Sequence, residues 1–108
     1  MGLIRTLALL GALMAAAPAL AHRLVIYAYA EAGEVVVESN FSNGSPAGAG
    51  SITVKGGDGA VLAEMPLSET GVTRFAVPEG GAEGIAVEVL TDAGHEDYWI
   101  LTPEDLAQ

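Results

Sequence analysis

His22 and His95 are the two residues whose type and position in this sequence suggest chemistry, and that chemistry is metal ligation. His22 follows Ala19-Leu20-Ala21, so cleavage after Ala21 would make it the first residue of a mature chain. A terminal histidine offers its α-amine and its ring Nδ1, which together close a six-membered chelate on one ion. The amine titrates near pH ~8, so a divalent ion displaces its last proton at modest cost. Imidazole and amine nitrogens suit nickel, copper, cobalt or zinc, and the intrinsic order favours copper and then nickel. His95 stands in Asp92-Ala93-Gly94-His95-Glu96-Asp97, where Asp92 and Glu96 are auxiliary oxygen ligands. Other chemistries lack their parts. The sequence has no catalytic triad, phosphate loop or nucleotide fingerprint, and its serines are scattered. With no cysteine, thiolate-bound zinc, iron–sulfur clusters and thiol redox chemistry are excluded. The expected mode of action is binding and transfer, with no enzymatic step.

For two histidines this far apart to share an ion, the intervening chain must fold them together. Residues 1–21 read as a secretory signal peptide: Arg5, an apolar core from Leu7 to Ala17, and an Ala-x-Ala end. That core is too short to span a hydrocarbon layer of about 30 Å. Residues 22–108 form one domain, expected in the periplasm, and hold no second apolar stretch of membrane length. Their periodicity is that of strands. Leu24 to Tyr29 is apolar on both faces, as a central strand would be. Glu34 to Phe41 alternates, with Val35, Val37, Ser39 and Phe41 on one face. Ser51–Lys55, Val61–Met65, Val72–Val77, Ile85–Leu90 and Tyr98–Leu101 supply five more. Glu31-Ala32-Gly33 and Gly56-Gly57-Asp58-Gly59 read as hairpin loops, and Pro103 starts a short terminal helix. Seven short strands at intervals of about ten residues predict an all-β sandwich.

Strand parity then makes a specific prediction. If consecutive strands run antiparallel, the first and seventh point the same way. His22 opens the first and His95 precedes the seventh, so both fall at one end of the sandwich. The 43–50 loop, the 66–71 loop, Asp92 and Glu96 fall there too. Glu38 could face the same end, although a solvated strand carboxylate is its default reading. Tyr27, Tyr29, Tyr98 and Trp99 read as core or sheet-face residues. Charge points away from nucleic acid as a partner. Within residues 22–108 only Arg23, Lys55 and Arg74 oppose 14 carboxylates, a surface that repels phosphate backbones.

Three segments carry a family resemblance. His22-Arg23-Leu24-Val25-Ile26-Tyr27-Ala28 resembles the His-Lys-Val-x-x-Phe-Ala opening of small periplasmic accessory proteins. Those proteins accompany bacterial nickel and cobalt uptake transporters of the energy-coupling-factor type. Val37-Glu38-Ser39-Asn40-Phe41-Ser42-Asn43-Gly44 is similar to that family's Val-Glu-Ser-Tyr-Phe-Ser-Asp-Gly, and Gly94-His95-Glu96-Asp97-Tyr98-Trp99 to its Gly-His-x-x-x-Trp/Tyr. The resemblance implies a seven-stranded Ig-like or prealbumin-like sandwich of the carboxypeptidase regulatory-like kind. It also implies capture or hand-over of Ni²⁺ or Co²⁺ beside an inner-membrane transporter, with both histidines on matching positions. Members often continue into a C-terminal transmembrane anchor, which these 108 residues do not include, and Met65 to Gly80 carries no motif of the family. Two alternatives use the same domain differently: a copper carrier with the same nitrogen ligands, and a non-catalytic envelope interaction module.

Overall fold

The computed structural model describes residues 22–108, so the signal-peptide reading of residues 1–21 lies outside the described residues. Seven strands and one helical turn follow in order: β1 (Leu24–Glu31), β2 (Glu34–Phe41), β3 (Gly50–Gly56), β4 (Val61–Pro66), β5 (Val72–Ala76), β6 (Ile85–Thr91), β7 (Glu96–Leu101) and α1 (Pro103–Leu106). They build an all-β sandwich of two antiparallel sheets, β1-β2-β5 and β4-β3-β6-β7. Each strand expected from periodicity is present. The boundaries differ at hairpins, where backbone pairing carries strands further than side-chain alternation does. β7 begins at Glu96, and the first hairpin closes on Glu31↔Glu34 around Ala32 and Gly33 alone. Both turn residues have positive φ, 53° and 82°, which is the primed hairpin geometry that matches strand twist.

The core follows from period-two alternation on facing sheets. Ile26, Ala28, Val35 and Val37 of the first sheet meet Ile52, Val54, Val87 and Val89 of the second, all buried. Each such aliphatic side chain contributes about 1.5–3 kcal/mol relative to exposure. Without disulfides, this packing and the hydrogen bonds of the two sheets hold the domain. Thr102 caps α1 reciprocally with Asp105: the Asp105 amide donates to Thr102 Oγ1 at 3.2 Å and the Thr102 amide to Asp105 Oδ2 at 2.9 Å. Among the described residues, no helix is long and apolar enough to cross a membrane.

One expectation is corrected. β1 is an edge strand, not a central one. Its second apolar face covers no other layer; Val25 and Tyr27 remain about half exposed, at 47% and 50%. Tyr27 instead packs sideways, its ring 5.1 Å from Trp99 of β7 in a T-shaped contact and 5.4 Å from Tyr29.

Candidate metal-binding end of the sandwich

β1 begins at the same end of the domain as β7. Register fixes this: β1 runs antiparallel to β2, β3 starts where β2 ends, β6 opposes β3, and β7 opposes β6. The 43–50 and 66–71 loops close that end. The Asn40↔Pro46 bridge, the Leu67 amide on the Gly50 carbonyl (2.9 Å) and the Ser39 amide on the Gly71 carbonyl (2.8 Å) hold them there.

Phe41, the last residue of β2, contacts the His95 ring and pairs with Leu24, two residues after His22. The β1–β2 ladder continues one pair beyond Leu24↔Phe41: the Ser42 amide donates to the Arg23 carbonyl at 2.8 Å and the Arg23 amide to Ser42 Oγ at 3.0 Å. His22 is therefore tethered next to a paired residue, with its own side chain exposed. On the other sheet, the His95 ring lies 5.5 Å from the Phe41 ring, tilted 69° edge-on. This contact crosses from one sheet to the other, and half-buries His95.

The backbone of His95 is held by Thr91. The Thr91 amide donates to the His95 carbonyl at 2.8 Å, the His95 amide returns a bond to Thr91 Oγ1 at 3.0 Å, and Thr91 is buried. The turn between them passes through Gly94 at φ 88°, a conformation suited to glycine. Gly50 lies opposite Thr91 with φ 145°. A Cβ on Gly50 would run into the Leu90 carbonyl and sit 2.7 Å from Thr91 Cα, so the close approach of β3 to β6 here requires glycine.

The carboxylates are distributed more widely than the histidines. Asp92 is exposed in the same turn, its amide donating to the Ala49 carbonyl at 3.0 Å. Glu96 starts β7, and adjacent strand residues face opposite ways. It lines a hollow of about 510 Å³ on the outer face of the second sheet with Ser51, Thr53, Glu88 and Tyr98, while His95 packs on Phe41. Glu38 pairs with Tyr27 in mid-sheet, away from the histidine end, and accepts a 3.1 Å hydrogen bond from the Tyr29 hydroxyl. That bond, followed by partial desolvation and the Glu38 and Glu31 charges, raises the Tyr29 pKa above its usual 10.0; Arg74 works in the opposite direction.

Among the described residues, no group of three or more His, Cys, Asp or Glu side chains gathers in one place. An ion at this end would draw on two imidazoles, with the α-amine of a processed His22 as third nitrogen and water completing its shell. Sequence reasoning missed one feature of this end. Ser39 is fully buried beneath it, and its hydroxyl lacks a hydrogen-bond partner among the described residues. No sequence signal could have found it, because Ser39 takes an ordinary inward position in an alternating strand. Set against protein-family models, curated proteins and solved structures, the chain matches none of them.

Proposed function

We propose that the protein is a periplasmic divalent-metal carrier, an accessory to nickel or cobalt uptake that works with an inner-membrane transporter. The cargo ion is Ni²⁺ or Co²⁺, with Cu²⁺ as the alternative for the same nitrogens. Its ligands are the His22 amine and ring together with the His95 ring, and Asp92 is near enough in the chain to add an oxygen. The observation that carries this reading is that the segments bearing the two histidines meet at one end of the sandwich. Phe41 touches the His95 ring and pairs at the backbone one step from the residue that follows His22. The ligand set is open and nitrogen-rich, and carries no thiolate. Such a set suits reversible binding and hand-over of a borderline ion. Net charge −10 would further concentrate cations at the surface.

The test uses protein recovered from the periplasm after expression of the full chain, its intact mass measured first. Titration with Ni²⁺, Co²⁺ and Cu²⁺ should show one ion per chain, bound at least about tenfold more weakly in His95→Ala. Affinity should also fall as pH drops below about 8, where the amine retains its proton. Failure of all three ions to bind, or unchanged binding in His95→Ala, overturns the proposal.

A further inference from the structure

The outer face of the four-stranded sheet is the second feature of the molecule that invites a partner. Alternation puts Ile52, Val54, Val87 and Val89 inside, so the residues between them face away from the core. On β6 and β7 the register sets Leu90 beside Glu96 and Glu88 beside Tyr98. On β3, Ser51 and Thr53 lie beside Leu90 and Glu88. These six residues line the hollow of about 510 Å³. A solvated sheet face is ordinarily polar. Here Val61, Leu90, Tyr98 and Ile100 stand outward, from 48% exposed at Leu90 to 63% at Tyr98. Exposed apolar side chains grouped on one face and bordered by polar ones mark a contact surface.

We propose that this face docks a protein partner whose arginine or lysine side chain enters the hollow, with apolar side chains on either side of it. The partner's chemistry follows from charge. The four strands carry one cation, Lys55, against Glu64, Glu88, Glu96 and Asp97. Lys55 is already paired with Glu88 at 3.0 Å, and among the described residues Glu64 and Glu96 have no ion-pair partner. Glu88 and Glu96 are diagonal neighbours across the β6–β7 ladder, about 7–8 Å apart at Cα, a spacing that one guanidinium or ammonium can bridge. Tyr98 adds an exposed ring on which that cation can rest. Leu90 and Ile100 receive the partner's apolar side chains. A second copy of this chain would oppose carboxylates with carboxylates and be repelled. The face is also small, roughly 400 Å², about half of what each subunit gives to a stable interface. It suits a transient contact. The proposal does not rest on the metal reading, and its test is run in metal-free buffer.

The probe is a capped seven-residue peptide with a central arginine, flanked on each side by leucine and valine and ended by serine. Its control has glutamate in place of the arginine. Both are added to protein recovered from the periplasm after expression of the full chain. The arginine peptide should bind saturably, at least about tenfold more tightly than the glutamate peptide, and weaken as salt is raised. Amide NMR signals of Thr53, Glu88 and Leu90 should shift on binding, while those of Val25 and Tyr27 on the other sheet should not. Tyr98→Ser should weaken the arginine peptide. Glu96→Lys should weaken it at least about tenfold and tighten the glutamate peptide, a reversal that unfolding cannot produce. Absence of saturable binding, equal binding of the two peptides, or shifts confined to other residues overturns the proposal. Free arginine binding as tightly as the peptide would make the hollow a small-cation site and refute it. Concentration-dependent shifts at Leu90 and Tyr98 without peptide would give the face to a second copy and refute it as well.

Discussion

Replacing Gly50 by alanine should unfold the histidine end, and comparison with Gly44→Ala isolates the reason. Both glycines have positive φ, 145° and 89°, so both substitutions carry a conformational cost of about 1–3 kcal/mol. Around Gly44 an added Cβ meets nothing within 4 Å. At Gly50 it meets the Leu90 carbonyl and lies 2.7 Å from Thr91 Cα, both backbone atoms of a strand paired on its two sides. Neither can move without breaking the β3–β6 ladder, so overpacking adds about 1–3 kcal/mol. Gly50→Ala should therefore lose about 2–6 kcal/mol, and Gly44→Ala about 1–3, the first larger by the overpacking cost. A domain of this size has a total stability of about 4–13 kcal/mol, so the first loss is a large share of it. Urea titrations followed by Trp99 fluorescence measure both. The Trp99 signal is well placed, because its ring contacts Tyr27 across the gap between the sheets. Since Gly50 backs Thr91, which holds His95, the same variant should also lose the Phe41–His95 contact seen in imidazole NMR shifts. Equal destabilisation by the two substitutions would refute the packing argument.

Two further outcomes follow from local geometry. Ala32 occupies the left-handed region at φ 53° in a two-residue hairpin that favours Asn-Gly, so Ala32→Asn should raise stability by about 0.5–1 kcal/mol in a thermal melt; a loss would mean the turn is not strained. The Tyr29 phenol should titrate above the ordinary tyrosine range in ultraviolet absorbance and move down toward it in Glu38→Gln, because the hydrogen bond to Glu38 is the largest cause of its shift. Its folded pKa is raised, so its contribution to stability is full below about pH 10 and declines as pH rises through the folded value. An unshifted phenol, or one insensitive to Glu38→Gln, would contradict the assignment.

The fold class was legible because alternation is a local property. Glu34 to Phe41 shows its buried and exposed faces in composition, and Val35 and Val37 lie in the core as that pattern requires. Parity was legible too: with strand number and antiparallel pairing settled, no side-chain detail was needed to bring the chain after His22 and the residue before β7 to one end. Two things were not legible. The apolar run of β1 looked central, since hydrophobicity reports that a face is covered and not what covers it. Only the sheet order reveals an edge with Tyr27 turned against Trp99. The separation of Glu96 from His95 was equally hidden, because neighbours in sequence part company only once a residue enters a strand. Composition and periodicity thus determined that this protein is a β-sandwich with its histidine-bearing segments at one pole. Tertiary packing decided which side chains meet there, because contacts such as Phe41 with His95 depend on how the two sheets lie across each other, a relation between residues distant in the chain.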